Sequence, residues 1–317
     1  MSVHNTSQDR FSRPAGWLWD SFQSARGGSL RSGRLPVVPG DDPHVHVIYV
    51  MGLSEFCEKK FELARDFNRM AINFHVFDRY GQGKSPRYLS NPYKQHAKGI
   101  EKDLADIAAY RQQFIPAGDT VFLLGHSTGG LLALHAQQKY PALFRGTILT
   151  SPLLGMKTPL VRTRESFVAK LKLPSFITSL YIPGGRDNVS RRDLMLPLKE
   201  QDFSSDPIRN KLHQDLCDSD PDLRSGSPTI GWVLTMCRAI DSALKPAFAA
   251  QVSRPICIFT AGDDKLVDNR NTGILAGRLP SASMTNFPGA KHELLMETDD
   301  IRDCVLQKTN DFILRNV

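Results

Sequence analysis

Short unbroken apolar runs alternate with longer stretches of helical apolar spacing along most of this chain. Residues 44–51 (HVHVIYVM), 71–77, 120–124, 147–150, 255–260 and 283–287 read as strands, most of them of the buried kind. Between and after them, 58–70, 99–114, 131–136, a segment from Asn271 and another from Asp300 carry the spacing of helices. Repeated strand-then-helix units predict an α/β fold, a mostly parallel central sheet with helices on both faces. The rhythm breaks over 151–250, where helical pieces alternate with prolines and charged clusters. That stretch reads as an inserted cap or lid subdomain over the carboxyl edge of the sheet, where ligands bind in open α/β folds.

The expected organisation is therefore a basic N-terminal arm and hairpin over 1–35, a core made of 36–150 and 251–317, and the cap over 151–250. The arm carries Arg10, Arg13, Arg26, Arg31 and Arg34 around Trp17-Leu18-Trp19; its first dozen residues read as disordered and Arg26-Gly27-Gly28 as a hairpin turn. The tryptophan pair could touch membrane, but packing onto the parent domain is the favoured reading.

At 317 residues, with 41% hydrophobic and 23% charged positions, the chain has the composition of an ordinary globular protein. No run approaches the ~20 apolar residues of a spanning helix, and the N-terminus lacks the apolar stretch of a signal peptide. Cys57, Cys217, Cys237, Cys257 and Cys304 are scattered and odd in number, as reduced thiols would be. The expected location is the cytoplasm, with membrane-peripheral attachment left open. A net charge of +7 permits contact with nucleic acid or an anionic membrane, but no basic and aromatic residues interleave as in a nucleic-acid module, so no nucleic-acid partner is expected.

Several patterns are decoys. His44 and His46 share a strand face without a nearby third ligand, which favours a role at the strand's edge over a metal pair. Gly83-Lys84-Ser85 matches the tail of a phosphate-binding loop, but Asp78 stands where the first glycine belongs and Pro86 opposes a helix there. Asp218, Asp220 and Asp222 resemble the start of a calcium loop, yet Leu223 and Thr229 occupy the positions of its glycine and glutamate, leaving a solvated acidic turn. No metal site and no cofactor is expected. Trp232, Val233, Leu234 and Met236 head a helix that either faces a ligand or packs on the core.

The chemistry concentrates at Gly125-His126-Ser127-Thr128-Gly129-Gly130, between a strand and a helix. A G-x-S-x-G in that setting is a nucleophile elbow: Gly125 and Gly129 allow a turn too tight for a side chain, and Ser127 stands at a helix N-terminus that favours negative charge. A serine hydroxyl needs a base and an orienting acid, in the order Ser, Asp, His for such an elbow. His292 is the one histidine beyond His213. Of the carboxylates in the loop after the 255–260 strand, Asp264 is chosen over Asp263 and Asp268, with Val267 anchoring the turn. An oxyanion hole would use the N–H groups of Thr128 and Leu53.

The segments VMGLSEF (50–56), DRYGQGKS (78–85), GHSTGG, AGDDKLVDN and GAKHELLMETDD, with GSPTIGWV (226–233), resemble the α/β-hydrolase superfamily and, within it, the bacterial lysophospholipase and monoacylglycerol lipase branch of serine aminopeptidase-type hydrolases. The resemblance spans nearly everything after about residue 15. It implies Ser127, Asp264 and His292 as a triad, Leu53 and Thr128 as oxyanion donors, and a cap over an acyl pocket. The implied activity is serine-dependent hydrolysis of lipid carboxylic esters, lysophospholipids or monoacylglycerols, through an acyl-enzyme. The alternatives are a proline-aminopeptidase-type peptidase, a small-ester esterase and, more remotely, a non-catalytic binding protein. Met51 departs from the relatives' histidine before Gly52, which puts the orientation of that loop in question. Within the expected cap, Lys157, Arg162, Arg164, Lys170, Lys172, Arg186, Arg191, Arg192 and Lys199 outnumber Glu165, Asp187, Asp193 and Glu200. Such a face would attract an anionic membrane surface or phosphate head group, or would serve solubility alone.

Overall fold

The strands β1 (Leu18–Gln23) and β2 (Ser29–Leu35) pair antiparallel around Gly27 and Gly28, both at positive φ. They form one end of an eight-stranded sheet completed by β3 (Val45–Val50), β4 (Asn73–Phe77), β5 (Thr120–His126), β6 (Gly146–Thr150), β7 (Ile256–Ala261) and β8 (Ala282–Phe287), in the order β1-β2-β4-β3-β5-β6-β7-β8. From β4 onward every pairing is parallel. The computed structural model describes residues 10–37, 44–158, 161, 165–187 and 203–317. Residues 1–9 lie outside the described residues, as do Arg162, Arg164, Arg191, Arg192, Asp193 and Lys199 with Glu200.

Strands β3 to β7 are almost wholly buried, because helices cover both faces of the sheet. On one face α2 (Glu101–Phe114) and α3 (Thr128–Lys139) set Leu104, Ile107, Leu131 and Leu134 against Ile48, Leu123 and Leu149. On the other, the helix α1 (Phe61–Arg69), which follows a 3-10 turn at Cys57–Lys60, and the C-terminal helix contribute Phe61, Phe67, Leu306 and Ile313. Edge strand β8 is largely exposed and polar.

Residues between β6 and β7 leave the sheet at its carboxyl edge and include α4 (Glu165–Ala169), α5 (Ser175–Thr178), α6 (Pro207–Ser219), α7 (Ile230–Ala243) and α8 (Pro246–Gln251). This connection meets loops that follow several strands. Gln95 pairs with Pro228, Met156 with Val267, and the Glu293 N–H donates to the Phe203 carbonyl at 2.8 Å. After β7 come α9 (Asn269–Ala276) and, after β8, α10 (Asp299–Asn316). Among the described residues, no helix is long and apolar enough to cross a membrane.

His46 differs from its expected role at a strand edge. It lies in a central strand, buried, with Nδ1 2.9 Å from His75 Nε2 and Nε2 2.9 Å from Asp119, so long-range contacts invisible in sequence spacing account for it. Trp17 is buried edge-on against Phe61 at 4.9 Å, and Trp19 stays partly exposed beneath the Arg31 guanidinium. Asp78 accepts from the N–H groups of Cys57 and Lys84 and from Arg31, so 78–85 is a turn locked on a buried carboxylate. Asp218 pairs with Arg224 and Asp220 with Lys84 at the surface.

Candidate active site

Ser127 joins β5 to α3 with φ 53° and ψ −119°, a conformation that costs an L-residue strain. Close backbone approach demands the flanking glycines. A Cβ on Gly125 would lie 2.5 Å from the Gly129 carbonyl oxygen, and one on Gly129 would lie 1.9 Å from that of Val50. The Ser127 N–H donates to the Thr150 carbonyl at 3.0 Å and the Leu153 N–H to the Ser127 carbonyl at 2.9 Å, so β6 and the residues after it brace the turn. Thr128 opens α3, where a first-turn N–H has no acceptor within the helix.

The loops after β7 and β8 bring Asp264 to His292. Asp264 Oδ2 is 2.7 Å from His292 Nδ1, and Oδ1 accepts from the N–H groups of Leu266 at 2.8 Å and Val267 at 2.9 Å. Burial alone would raise the Asp264 carboxyl, but His292 and the two backbone donors outweigh it and hold it below the ordinary carboxylate range. An ionised Asp264 accepts Nδ1–H, which leaves Nε2 of His292 free to accept a proton. Asp263 pairs with Lys265 at the surface, and Asp268 caps α9 and pairs with Arg270, so neither meets His292 through these contacts. The His292 carbonyl is held by Ser151 Oγ at 2.7 Å.

Leu53 follows β3 in a turn whose orientation does not depend on a histidine at position 51. Met51 is fully buried in the core, and its carbonyl accepts from Arg79 Nε at 3.1 Å. The Gly52 carbonyl accepts from Gln82 Nε2 at 2.9 Å and from Arg79 at 3.4 Å, while the Gly52 N–H donates to Glu55 Oε2 at 2.7 Å. Trp232 and Met236 of α7 meet this turn, lining a narrow cleft with Leu53, Tyr80 and Tyr88. Both are buried; Val233 and Leu234 are buried too.

Sequence reasoning missed what lies behind these loops. Glu55, Lys59, Lys60 and Glu293 are each at most 4% exposed. Lys59 Nζ donates to both oxygens of Glu293 at 2.7 and 2.8 Å, and Lys60 pairs with Glu55. Burial would raise the Glu55 carboxyl, but the ammonium groups of Lys60 and Lys59 hold it well below its usual range. Burial pushes the His126 imidazole down to about 4, leaving it neutral at pH 7; its ring centroid is 4.9 Å from that of His292. The available signal was position: His126 precedes Ser127, and Glu293 follows His292.

A family model described as serine aminopeptidase, S33, matches residues 41–299. A probable lysophospholipase L2 of Haemophilus influenzae is 29% identical over 273 residues, 84% of this chain and 83% of that protein. The monoglyceride lipase of Rattus norvegicus is 26% identical over 290 residues, 88% and 85% of the two chains. In structure the chain is similar to a soluble variant of monoglyceride lipase from Saccharomyces cerevisiae solved with a substrate analog, with a TM-score of 0.71 at 18% identity over 96% of both chains.

Proposed function

The chain belongs to the serine aminopeptidase (S33) family of hydrolases, and from that premise we propose that it hydrolyses carboxylic esters of lipids, lysophospholipids or monoacylglycerols, through an acyl-enzyme on Ser127. The observation that carries the mechanism is the 2.7 Å contact between Asp264 and His292 Nδ1, in loops of the sheet edge that also bears the strained Ser127. Ser127 Oγ attacks the ester carbonyl as its proton passes to His292 Nε2. The N–H groups of Thr128 and Leu53 stabilise the oxyanion, and donors aimed at developing charge are worth about 3 kcal/mol each. As the tetrahedral adduct collapses, the ester C–O bond breaks and His292 returns the proton to the leaving alcohol. Water, deprotonated by the same imidazole, then releases the acid.

We further propose peripheral contact with an anionic membrane. In the β6–β7 connection Phe167, Phe176 and Leu180 are 67%, 70% and 52% exposed, with Lys170 and Lys172 beside them. Apolar rings that enter the headgroup boundary and lysines that meet anionic lipid would act together there. The connection would then serve as a cap bringing lipid to Ser127. The relatives named for lysophospholipid and monoglyceride substrates favour an ester, whereas the family's description favours an aminoacyl amide. A panel of lysophosphatidylcholine, monooleoylglycerol, 4-nitrophenyl butyrate and prolyl 4-nitroanilide separates them. Faster turnover of the two lipids supports the proposal, and turnover of the prolyl amide alone would replace it with an aminopeptidase.

A further inference from the structure

Three loops that carry the proposed chemistry each send a neighbouring side chain into one buried cluster. Glu55 lies two residues beyond Leu53, His126 immediately before Ser127, and Glu293 immediately after His292. One ligand-type atom from each of these three lies within 4.8 Å of the others, a spacing that would suit a metal ion. Cations already occupy that role. Lys59 Nζ bonds both oxygens of Glu293 and lies 3.7 Å from Glu55 Oε1, and Lys60 bonds Glu55 and covers the Tyr49 ring at 4.5 Å. Tyr49 also donates to Glu55 at 3.1 Å. Two ammonium groups and two carboxylates balance, and a dication would have to enter against two positive charges.

Buried ion pairs are a poor source of stability, because desolvation consumes most of the Coulombic gain. Their placement is therefore the informative feature. Resting on the assignment of Ser127 and His292 above, we propose that Lys59 and Glu293, with Glu55 and Lys60, are positioning residues: a charge-balanced cluster that locks the His292 loop to the Leu53 turn and sets the electrostatic field in which His292 accepts its proton. Among the described residues, Asp264, whose backbone carbonyl is held by Lys157, and the His126 imidazole also face His292. Removing one member of the Lys59–Glu293 pair unbalances the field, with a sign set by which charge is lost. A surplus positive charge opposes protonation of the base, and a surplus negative charge favours it.

The test is the pH dependence of kcat/KM for 4-nitrophenyl butyrate in the wild type, Glu293→Gln, Lys59→Met and the double variant. The acid limb should move to lower pH in Glu293→Gln and to higher pH in Lys59→Met, each by about half a unit or more, and return near the wild-type position in the double variant. Movement in the same direction, or none, in the two single variants would overturn the inference. Should a single variant fail to fold, Glu55→Gln and Lys60→Met, which unbalance the same cluster in the same two directions, replace it: opposite shifts of the acid limb support the inference and parallel or absent shifts refute it. Failure of all three to fold would assign the cluster to stability alone. An inactive wild type would overturn the functional assignment and this inference together, whereas an active wild type with unshifted variants would overturn this inference alone.

Discussion

Gln82 Nε2 donates to the carbonyl oxygen of Gly52 at 2.9 Å, and that contact fixes where the next N–H points. A trans peptide is planar, so the Leu53 N–H is directed opposite to the Gly52 carbonyl. Arg79 holds the same oxygen and that of Met51 from the loop after β4. The turn is thus oriented by residues of the DRYGQGKS segment.

Gln82→Ala should therefore lower kcat for ester hydrolysis about 10- to 100-fold with little change in KM, less than the ~100- to 1,000-fold cost of deleting an oxyanion donor. Steady-state kinetics on 4-nitrophenyl butyrate checks it. An unchanged kcat would show that Arg79 and Glu55 suffice, or that Leu53 is not a donor.

Asp264→Asn should reduce kcat on the order of 10,000-fold, because an amide cannot hold His292 as the Nδ1–H tautomer. Asp263→Asn should stay within a few-fold of wild type, since its carboxylate pairs with Lys265 at the surface. Equal damage from the two substitutions would mean that the acid has been misassigned.

The periodicity of the chain made the succession of core strands and helices legible, and the glycine-flanked serine made the elbow legible, because both are local patterns. Asp264 was readable only from the register of its turn with Val267. The Lys59–Glu293 pair was not, since a Glu-Lys-Lys run opening a helix has the sequence signature of a solvated face. Its burial follows from packing between residues more than two hundred positions apart. His46 escaped for the same reason: its partners His75 and Asp119 arrive from neighbouring strands and loops.

Stability should fall as pH drops from 7 to 5. Burial pushes the imidazoles of His126 and His96 down to about 4, and lowers His46 and His75 in the same direction. In the unfolded chain they titrate near ~6.5, so across this window the unfolded state binds protons that the folded state refuses, and stability rises with pH. Thermal unfolding followed by circular dichroism should give a Tm that declines toward pH 5, less steeply in His96→Gln. A Tm independent of pH across that range would contradict the burial of neutral imidazoles.

Phe167→Ser combined with Phe176→Ser should slow hydrolysis of lysophospholipid on anionic vesicles by about tenfold or more, the loss of roughly one buried ring's transfer energy. Turnover of soluble 4-nitrophenyl butyrate should be unaffected. Added salt should weaken the vesicle reaction alone, as screening shortens the reach of Lys170 and Lys172. Equal effects on both substrates would remove these rings from membrane contact and place them in folding or in the pocket.

Ser127 is the proposed site of the acyl-enzyme. Intact mass measurement after treatment with a fluorophosphonate, followed by peptide mapping, tests it most directly. A single adduct on Ser127 is expected, absent from Ser127→Ala, together with loss of ester turnover by about a million-fold or to background in that variant. Adduct formation elsewhere with turnover retained in Ser127→Ala would contradict it.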